Sequence, residues 1–391
     1  MEVFRQTDVG NNCTQIMGKP NFILACIFIL ISFHTYCQEF KIDTTQLSQY
    51  LNRNHTNNQF DGIALIAYKD SIIYSKTIGY SNNKMKSQFD YSTKFQIASV
   101  SKQFTSFGIL ILEQENKLKT EDYVYHYLPK FPFKKIKIKH LMSHTSGLPS
   151  FVDSMWQDLD TTIVNGNKEM LLMLESKKYP LQWSPGSKWE YSDIGYCTLA
   201  SLIEKVSGRN FKEFMNQSIF KPSGMTNTSA EFSTDYRAIK DLDLAMGYVY
   251  DSISKKKIVA YDSPQNNFIY WLGGFYGDGS VVSTIEDLLK WDKALYEGKI
   301  IHPESLKKAM TPTKLNNENL ADAWGTFYGF GWFLYDSEKF GRVQTHSGGH
   351  PGYSSKLTRC PDKNLTIIIL SNLSLPEFWK FNILKELEKQ Q

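Results

Sequence analysis

Residues 95–105 read Phe-Gln-Ile-Ala-Ser-Val-Ser-Lys-Gln-Phe-Thr, and the chain is organised around this stretch. Small and β-branched residues lead into Ser99, and an amphipathic run rich in apolar residues follows Lys102. The spacing predicts that Ser99 lies in the first turn of a long helix, with Lys102 three residues later on the same helical face. A neutral amine there can take the proton of the hydroxyl, and the resulting alkoxide can attack a carbonyl carbon.

The proposed chemistry depends on the basicity of Lys102. A lysine is a poor base at its ordinary pKa of about 10.4. Burial and the positive end of the helix dipole are both expected to lower the pKa of Lys102. Ser-x-x-Lys is a weak pattern alone, because it recurs in polar surroundings, for example at Ser305 and Lys308. A nucleophile at Ser99 therefore needs partners from other segments of the chain.

The composition excludes one broad class of partner. The 391 residues include 44 basic and 40 acidic side chains, a net charge of +4, and 14% of the residues are aromatic. This length accommodates a large core and one or two domains. The basic residues are dispersed, without the sustained stripe that follows a phosphate backbone, so nucleic acid is not an expected partner.

An uncharged apolar run over residues 22–33 follows Lys19 near the amino terminus. It is too short to span a bilayer comfortably, and it has the features of a secretory signal with cleavage near Cys37 and Gln38. Residues 1–37 are therefore interpreted as a signal peptide or N-terminal hydrophobic segment. We expect an exported protein, periplasmic or extracellular.

Alternatives stay open for this segment. Met17 makes a more ordinary start for a signal peptide than Met1, so residues 1–16 are interpreted as an upstream extension or a mis-called start. Residues 21–36 could instead stay uncleaved as a membrane anchor, and Cys37 could carry a lipid. The sequence makes no prediction of the oligomeric state.

Two cysteines, Cys197 and Cys360, remain if residues 1–37 are removed. Two cysteines do not make a disulfide framework, and we expect two free, buried thiols. Neither belongs to a Cys-x-x-Cys pair, so a zinc or thiol redox role is not supported.

Short β-type runs occur at both ends of the chain, and helical patterns fill the middle. Residues 62–68 and 72–80 have the composition and spacing of a hairpin, and further β-rich runs follow between residues 328 and 370. We predict an α/β (α+β) fold: an antiparallel sheet from the N- and C-terminal strands, flanked by helices, with a largely helical middle subdomain. The domain is placed at residues 45–380, with 381–391 as a C-terminal helix end or tail.

Other patterns are assigned structural roles. His140 and His144 have a spacing that can hold a metal on a helix, but no third ligand with suitable spacing is evident, so hydrogen bonding is favoured. Residues 273–279 are rich in glycine but lack the Gly-Lys-Ser/Thr ending of a phosphate loop, which indicates tight backbone packing. Residues 283–286, Ser-Thr-Ile-Glu, predict a capping box that opens a helix over 287–296. No metal or organic cofactor is predicted.

Three segments together carry a family resemblance. Ser-Val-Ser-Lys at 99–102, Tyr-Ser-Asp at 191–193 and His-Ser-Gly at 346–348 resemble the three motifs of the serine β-lactamase and penicillin-binding protein superfamily. The similarity is closest to its class C β-lactamase and D-alanyl-D-alanine carboxypeptidase branch. Supporting phrases such as Tyr-Gly-Phe-Gly-Trp at 328–332 follow in the family's order over residues 45–375. The resemblance implies a β-lactamase/transpeptidase-like fold.

The resemblance also implies roles for individual residues. Ser99 would be the acylated nucleophile, and Lys102 the amine that activates it. Tyr191 would relay a proton to the leaving group and later activate water, provided that Lys102 lowers the pKa of the phenol from about 10. The backbone N–H groups of Ser99 and Gly349 would form the oxyanion hole.

The third motif would bind substrate: His346, Ser347 and Gly348 would flank the cleft, pair through their backbone with an extended substrate, and place His346 to polarise the site. Two residues depart from the family pattern. Asp193 stands where Asn is usual, and it either faces away or favours a substrate that carries an amine. His346 stands where dedicated β-lactamases usually carry Lys, and a mostly neutral imidazole suits a β-lactam carboxylate less well than a permanent cation.

The resemblance therefore implies an exported serine hydrolase that forms an acyl-serine intermediate on an amide or ester, such as a D-amino-acid peptide or a small carboxylic ester. Both departures argue against efficient β-lactam hydrolysis. The expected partner is a small-molecule or peptide substrate. The alternative is a low-turnover binding or sensor protein of the same fold that recognises peptidoglycan fragments or β-lactams, although the intact Ser99, Lys102 and Tyr191 argue against it.

Overall fold

The computed structural model of the chain describes residues 41–149, 155–176, 178–230, 244–251, 254–375 and 378–390. The chain divides into two units, Met1–Lys41 and Ile42–Gln391, and the elements described below belong to the second. The signal-peptide interpretation of residues 1–37 lies outside the described residues.

The described elements alternate between strand-rich ends and a helix-rich middle. The strands are β1 (Gly62–Tyr68), β2 (Ser71–Ile78), β3 (Phe95–Gln96), β4 (Ser229–Ala230), β5 (Tyr248–Asp251), β6 (Lys256–Val259), β7 (Val281–Ser283), β8 (Phe327–Tyr328), β9 (Phe333–Ser337), β10 (Gly341–His350), β11 (Tyr353–Cys360), β12 (Leu365–Ser371) and β13 (Leu373–Ser374). The helices are α1 (Thr44–Thr56), α2 (Lys102–Gln114), α3 (Ile138–Met142), α4 (Asn167–Glu175), α5 (Asp193–Ser207), α6 (Phe211–Met215), α7 (Phe268–Trp271), α8 (Ile285–Tyr296), α9 (Pro303–Ala309) and α10 (Ile383–Glu388).

The main sheet has seven strands in the order β2-β1-β12-β11-β10-β9-β8, and each neighbouring pair is antiparallel. The predicted hairpin forms β1 and β2, and β1 pairs with β12 so that Gly62 lies opposite Ser371. Strands from both ends of the chain thus share one antiparallel sheet, which confirms the predicted fold class. β1 and β12 are buried on both faces, which explains their apolar runs without polar alternation.

Helical segments cover both faces of this sheet. On one face, α8 packs against β12 and β1, and its buried Asp292 accepts hydrogen bonds from Arg359 of β11 and Thr366 of β12. Lys356 of β11 is three positions from Arg359, so its side chain lies on the opposite face of the sheet. Its Nζ donates there to the carbonyl of Phe381, just before α10. The sheet is therefore covered on both faces, and one of these faces packs against the helical subdomain.

α2 is the buried centre of the helical subdomain. Every residue of α2 from Lys102 to Leu112 is buried, so the run predicted as amphipathic has no solvated face over these three turns. α2 packs on α5, and the rings of Phe104 and Phe107 lie 4.8 and 5.1 Å from the ring of Trp291. Close packing on every side fixes the orientation of the first turn of this helix.

The first of the predicted β-rich runs between residues 328 and 370 is interrupted. β8 ends at Tyr328 and β9 begins at Phe333, because Gly331 between them adopts a φ of +83°. A Cβ added to Gly331 would lie 3.0 Å from the backbone oxygen of Lys102. The glycine therefore lets this turn approach the start of α2 closely.

The start of α8 corrects a second prediction. Thr284, not Ser283, is its N-cap, and the Thr284 hydroxyl accepts from the N–H of Asp287 at 3.1 Å. Cys197 and Cys360 are both free and buried, as predicted. Within the described ranges, we find no helix with the length and apolar character needed to cross a bilayer.

Candidate active site

Ser99 lies in a single 3-10 turn, Ala98–Ser101, that continues directly into α2. The predicted position of the serine at the head of a long helix is therefore correct. Ala98, immediately before Ser99, adopts a φ of +46°, in the left-handed region that residues with a Cβ rarely occupy. Such strain costs on the order of 1–3 kcal/mol and is typical of residues whose orientation is fixed by function.

Lys102 is wholly buried, and its Nζ donates three hydrogen bonds. The acceptors are Ser99 Oγ at 3.0 Å, Asp193 Oδ1 at 2.7 Å and the backbone oxygen of Asp278 at 2.8 Å. An ammonium has three N–H groups and a neutral amine has two. The geometry therefore matches a protonated Lys102.

The expected pKa of Lys102 is corrected by this arrangement. Burial is the largest influence and lowers the pKa, but Asp193, Tyr191 and Asp278 together raise it more, so the net pKa lies above its ordinary value. The sequence prediction of a lowered pKa was wrong, because it included burial and the helix dipole but neither acidic neighbour. In the resting site, Lys102 is an ammonium that donates to Ser99.

Tyr191 is half-buried and lies just before Ser192, the N-cap of α5. Lys102 Nζ lies 4.9 Å from the centre of the Tyr191 ring, and the phenol interacts with the side chains of both Lys102 and Ser99. Burial raises the pKa of Tyr191 more than Lys102 lowers it, and Asp193 raises it further. The expected lowering of this pKa was therefore wrong, because burial outweighs the cation of Lys102 and the carboxylate of Asp193 acts in the same direction as burial.

Two histidines and a tyrosine form a hydrogen-bonded chain behind Tyr191. His144 Nδ1 accepts from the N–H of Ser192 at 3.0 Å, so its proton lies on Nε2, which is 3.2 Å from the hydroxyl of Tyr328. That hydroxyl lies 3.1 Å from His346 Nε2, and His346 Nδ1 donates to the backbone oxygen of Ser347 at 2.7 Å. One set of neutral tautomers satisfies every donor and acceptor along this chain.

Both imidazoles are neutral for a physical reason. Burial, followed by the charge of Lys102, lowers the pKa of His346 to about 3. The same two causes hold the pKa of His144 well below its ordinary value. His346 thus has partners on both ring nitrogens and carries no charge. Its role as a residue that polarises the site stays a prediction.

The edge of β10 beside this cluster is open. β9 pairs with β10 from Gly341 to Thr345 only, and along residues 346–350 β11 is the single neighbour of β10 among the described strands. Ser347 pairs with Lys356, so its side chain lies on the face opposite to that of His346. An open strand edge can bind an extended substrate through backbone hydrogen bonds.

Gly348 and Gly349 differ sharply in their surroundings. A Cβ added to Gly348 would lie 2.3 Å from the backbone oxygen of Ile97 and 3.0 Å from the amide nitrogen of Ser99. The same atom on Gly349 would meet nothing within 4 Å. Only a glycine at 348 lets β10 lie against the turn of the nucleophile. The oxyanion-hole roles of the Ser99 and Gly349 amides stay predictions.

Asp278 belongs to the site, although the sequence interpretation did not include it. The glycine-rich residues 273–279 pack tightly, as predicted: Gly277 has a φ of +101°, and a Cβ there would lie 2.5 Å from the backbone oxygen of Tyr196. This packing brings the Asp278 carbonyl to Lys102, while Asp278 Oδ1 accepts from the thiol of Cys197 at 3.5 Å. A backbone acceptor has no sequence pattern that could have revealed it.

Trp324 is a second residue that the sequence interpretation omitted. Its ring stacks on Tyr191 at 5.7 Å with an interplanar angle of 25°, while His144 lies 4.3 Å from Tyr191. Trp324 is 69% exposed, and its φ is +57°, a rare value for a bulky residue. An exposed, strained tryptophan against a candidate catalytic residue is typical of a functional site.

His140 and His144 do not share a helix face as the spacing allowed. α3 ends at Met142, and His144 follows it with a φ of +58°. His140 Nδ1 accepts from the N–H of Lys137 at 3.2 Å. Among the described residues, no group of three His, Cys, Asp or Glu side chains is placed to hold a metal ion.

Comparison with known proteins shows the family of this chain. The sequence model of the family described as Beta-lactamase matches residues 47–389. The chain belongs to the Beta-lactamase family. It is 36% identical over 331 residues to Penicillin-binding protein 4* of Bacillus subtilis (strain 168), covering 85% of this chain and 72% of that protein. The resemblance to the serine β-lactamase and penicillin-binding protein superfamily is confirmed.

Two solved structures have a similar fold. The octameric penicillin-binding protein homologue from Pyrococcus abyssi is 26% identical, with a TM-score of 0.72 over 89% of this chain and 79% of that one. The D-amino acid amidase from Ochrobactrum anthropi SV3 is 20% identical, with a TM-score of 0.66 over 84% of this chain and 91% of that one. The second similarity shows the fold alone.

In this member of the Beta-lactamase family, residues of all three motifs lie close to Ser99. Ser99 Oγ and Asp193 Oδ1 both accept hydrogen bonds from Lys102, and the phenol of Tyr191 interacts with the side chains of Lys102 and Ser99. These groups can exchange protons with an attacking alcohol and a leaving group.

Proposed function

We propose that the protein is a serine hydrolase that cleaves an amide or ester through an acyl-enzyme on Ser99. The observation that carries the proposal is a single hydrogen-bonded cluster, in which Lys102 Nζ lies 3.0 Å from Ser99 Oγ and the phenol of Tyr191 interacts with both side chains. A nucleophile, a proton carrier and an acid within one pocket meet the needs of acyl transfer.

The protonated Lys102 calls for a relay of protons. As Ser99 Oγ bonds to the substrate carbonyl carbon, its proton passes to Lys102, and Lys102 passes one of its own to Asp193 across 2.7 Å. The leaving nitrogen or oxygen takes a proton from Tyr191, which regains one from the Lys102–Asp193 pair. Water then attacks the acyl carbon, and its proton follows the same relay back to Ser99.

The substrate class follows from the site and its relatives. D-amino-acid peptides and small esters are the proposed substrates, in keeping with family membership and with the amidase that shares the fold. His346 is neutral and has partners on both ring nitrogens, so it offers no cation to a β-lactam carboxylate. Efficient β-lactam hydrolysis is therefore not proposed. The apolar run over residues 22–33 supports the proposal that the protein acts after export.

A fluorophosphonate probe tests the proposal on the purified protein. We expect covalent labelling at Ser99, identified by peptide mass spectrometry, and no labelling in Ser99→Ala. Ser305→Ala is the matched control, because it removes the serine of another Ser-x-x-Lys pattern, on α9. Labelling at another residue, or none in the wild type, would overturn the proposal. Labelling without turnover of any ester or D-alanyl peptide would favour the binding or sensor protein.

A further inference from the structure

The charges around Ser99 are unusual for a site that would bind an acidic substrate. The groups that act electrostatically on Lys102 are Asp193, Tyr191 and Asp278, so one cation faces two carboxyl groups and a phenol. All three N–H groups of Lys102 have acceptors within the protein. A substrate carboxylate would therefore meet no uncommitted donor on Lys102.

Asp193 is the carboxylate that a ligand can reach. Its side chain is 45% exposed, whereas that of Lys102 is fully enclosed. Oδ1 of Asp193 accepts from Lys102 at 2.7 Å, so Oδ2 is the oxygen that can accept a hydrogen bond from a ligand. Asp193 is also the first residue of α5, where the helix dipole favours a negative charge.

Asp278 provides a second carboxyl group close to Asp193 and Lys102. It is half-buried, and its Oδ1 accepts from the Cys197 thiol, which is a weak donor. Burial first, and then repulsion from the Asp193 carboxylate, raise the pKa of Asp278. A second cation next to Asp193 would relieve this repulsion.

The separation between Asp193 and Ser99 matches the spacing between the α-amino group and the carbonyl carbon of an amino-acid ester or amide. Asp193 Oδ1 and Ser99 Oγ both contact Lys102 Nζ, so the carboxylate lies within two hydrogen-bond lengths of the nucleophile. In an amino-acid ester or amide, the α-nitrogen is two covalent bonds from the carbonyl carbon that Ser99 would attack. An ammonium on that carbon skeleton can therefore reach Asp193 while the carbonyl lies at Ser99.

We propose that Asp193 forms an ammonium subsite and that the preferred acyl donors are esters or amides of amino acids with a free α-amino group. This inference rests on the proposed hydrolase function and specifies its substrate class. An N-acylated substrate loses the charge-assisted hydrogen bond to the carboxylate, and a substrate with a carboxylate at this point is repelled.

The test compares D-alanine p-nitroanilide with N-acetyl-D-alanine p-nitroanilide at neutral pH. We expect kcat/KM to be about tenfold higher for the free amine in the wild type. Asp193→Asn keeps the shape of the side chain and should abolish this preference, whatever it does to the absolute rate. Glu190→Gln is the matched control, since Glu190 has a 46% exposed side chain and pairs with Lys188, whereas the three hydrogen bonds of Lys102 go to other residues. It should retain the preference.

A second measurement needs neither turnover nor a variant. D-alaninamide should protect Ser99 from the fluorophosphonate probe at about tenfold lower concentration than N-acetyl-D-alaninamide. Equal protection, or an equal or higher kcat/KM for the acetylated anilide, would overturn the ammonium subsite while leaving the hydrolase intact. A wild type that the probe does not label would overturn both.

Discussion

Lys102 Nζ donates to Asp193 Oδ1 across 2.7 Å, and this contact joins a fully enclosed ammonium to a carboxylate at the mouth of the site. The pair explains why Lys102 keeps its charge in a position where burial alone would remove it. The protonation of Lys102, next to Ser99, therefore depends on the solvent-exposed side chain of Asp193.

Replacing Asp193 by Asn should change the pH dependence of Ser99 reactivity. Without this carboxylate, burial dominates and the pKa of Lys102 falls. Labelling by the fluorophosphonate probe should then rise steeply with pH as Lys102 loses its proton, between about pH 6 and 10. Rates measured over that range in Asp193→Asn and Glu190→Gln check this. Profiles of the same shape in both variants would contradict the relay through Asp193.

Tyr191→Phe should reduce turnover without unfolding the protein. The ring contacts to His144 at 4.3 Å and to Trp324 at 5.7 Å are kept, and only the hydroxyl is lost. We expect kcat for a p-nitroanilide to fall by about 10²–10⁴, the usual contribution of a general acid or base. The melting temperature, measured in parallel, should change little. A kcat within twofold of the wild type would exclude Tyr191 from proton transfer.

Trp324 should act as a positioning residue for Tyr191. Trp324→Ala removes one face of the stack, and we expect kcat to fall by about tenfold with a smaller change in KM. Trp324→Phe should restore most of the rate, because a phenyl ring can still stack. Since Trp324 is 69% exposed, neither variant should alter the melting temperature strongly. A rise in KM with an unchanged kcat would instead indicate a direct contact with substrate.

Two adjacent glycines give a matched steric test. Gly348→Ala would place a methyl group 2.3 Å from the Ile97 oxygen, so β10 must move away from Ser99. We expect loss of labelling and a stability decrease of about 1–3 kcal/mol, measured by urea unfolding. Gly349→Ala meets nothing within 4 Å and should label normally, since it keeps its amide. Normal labelling of Gly348→Ala would show that this contact is not needed.

Acidification should destabilise the fold through its buried histidines. Burial lowers the pKa of His140 to about 4 and of His346 to about 3, and the pKa of His144 lies lower than usual as well. The unfolded chain, with an ordinary pKa of about 6.5, therefore binds more protons below that pH. Stability should be complete above pH 6.5 and fall towards pH 3, by up to about 1.4 kcal/mol per pH unit for each histidine.

Urea unfolding at pH 7 and pH 5 measures this loss. His346→Asn removes one titrating ring, so its stability should fall less between the two pH values than that of the wild type. An equal loss in both proteins would mean that His346 takes up its proton over the same pH range in the folded and the unfolded states, which contradicts the lowered pKa.

The parts of the site that were predictable are those with a local or a family pattern. The turn at Ser99 and the β1–β2 hairpin each depend on neighbouring residues, and each occurs where the sequence placed it. The contacts of Lys102 are different, because Asp193 and Asp278 lie 91 and 176 residues away from it along the chain. The sign of a pKa shift depends on such neighbours, so the two pKa expectations failed together.

The chain of Ser192, His144, Tyr328 and His346 illustrates the same limit. Each residue belongs to a segment that the sequence had marked, yet nothing in the spacing of those segments indicates that Tyr328 bridges two imidazoles. The sequence indicates a mostly neutral imidazole in the third motif, and tertiary packing lowers the pKa of both rings further, through burial and then the charge of Lys102.

The pairing of β1 with β12 has a consequence for the newborn polypeptide. The partner of Gly62 is Ser371, so the pairing of β1 with β12 cannot form until the ribosome has synthesised more than three hundred further residues. Until then, the hairpin β1–β2 presents an apolar strand edge that can pair with other chains. Cells that make this protein must therefore keep the nascent chain away from its own copies until its last long strand has emerged.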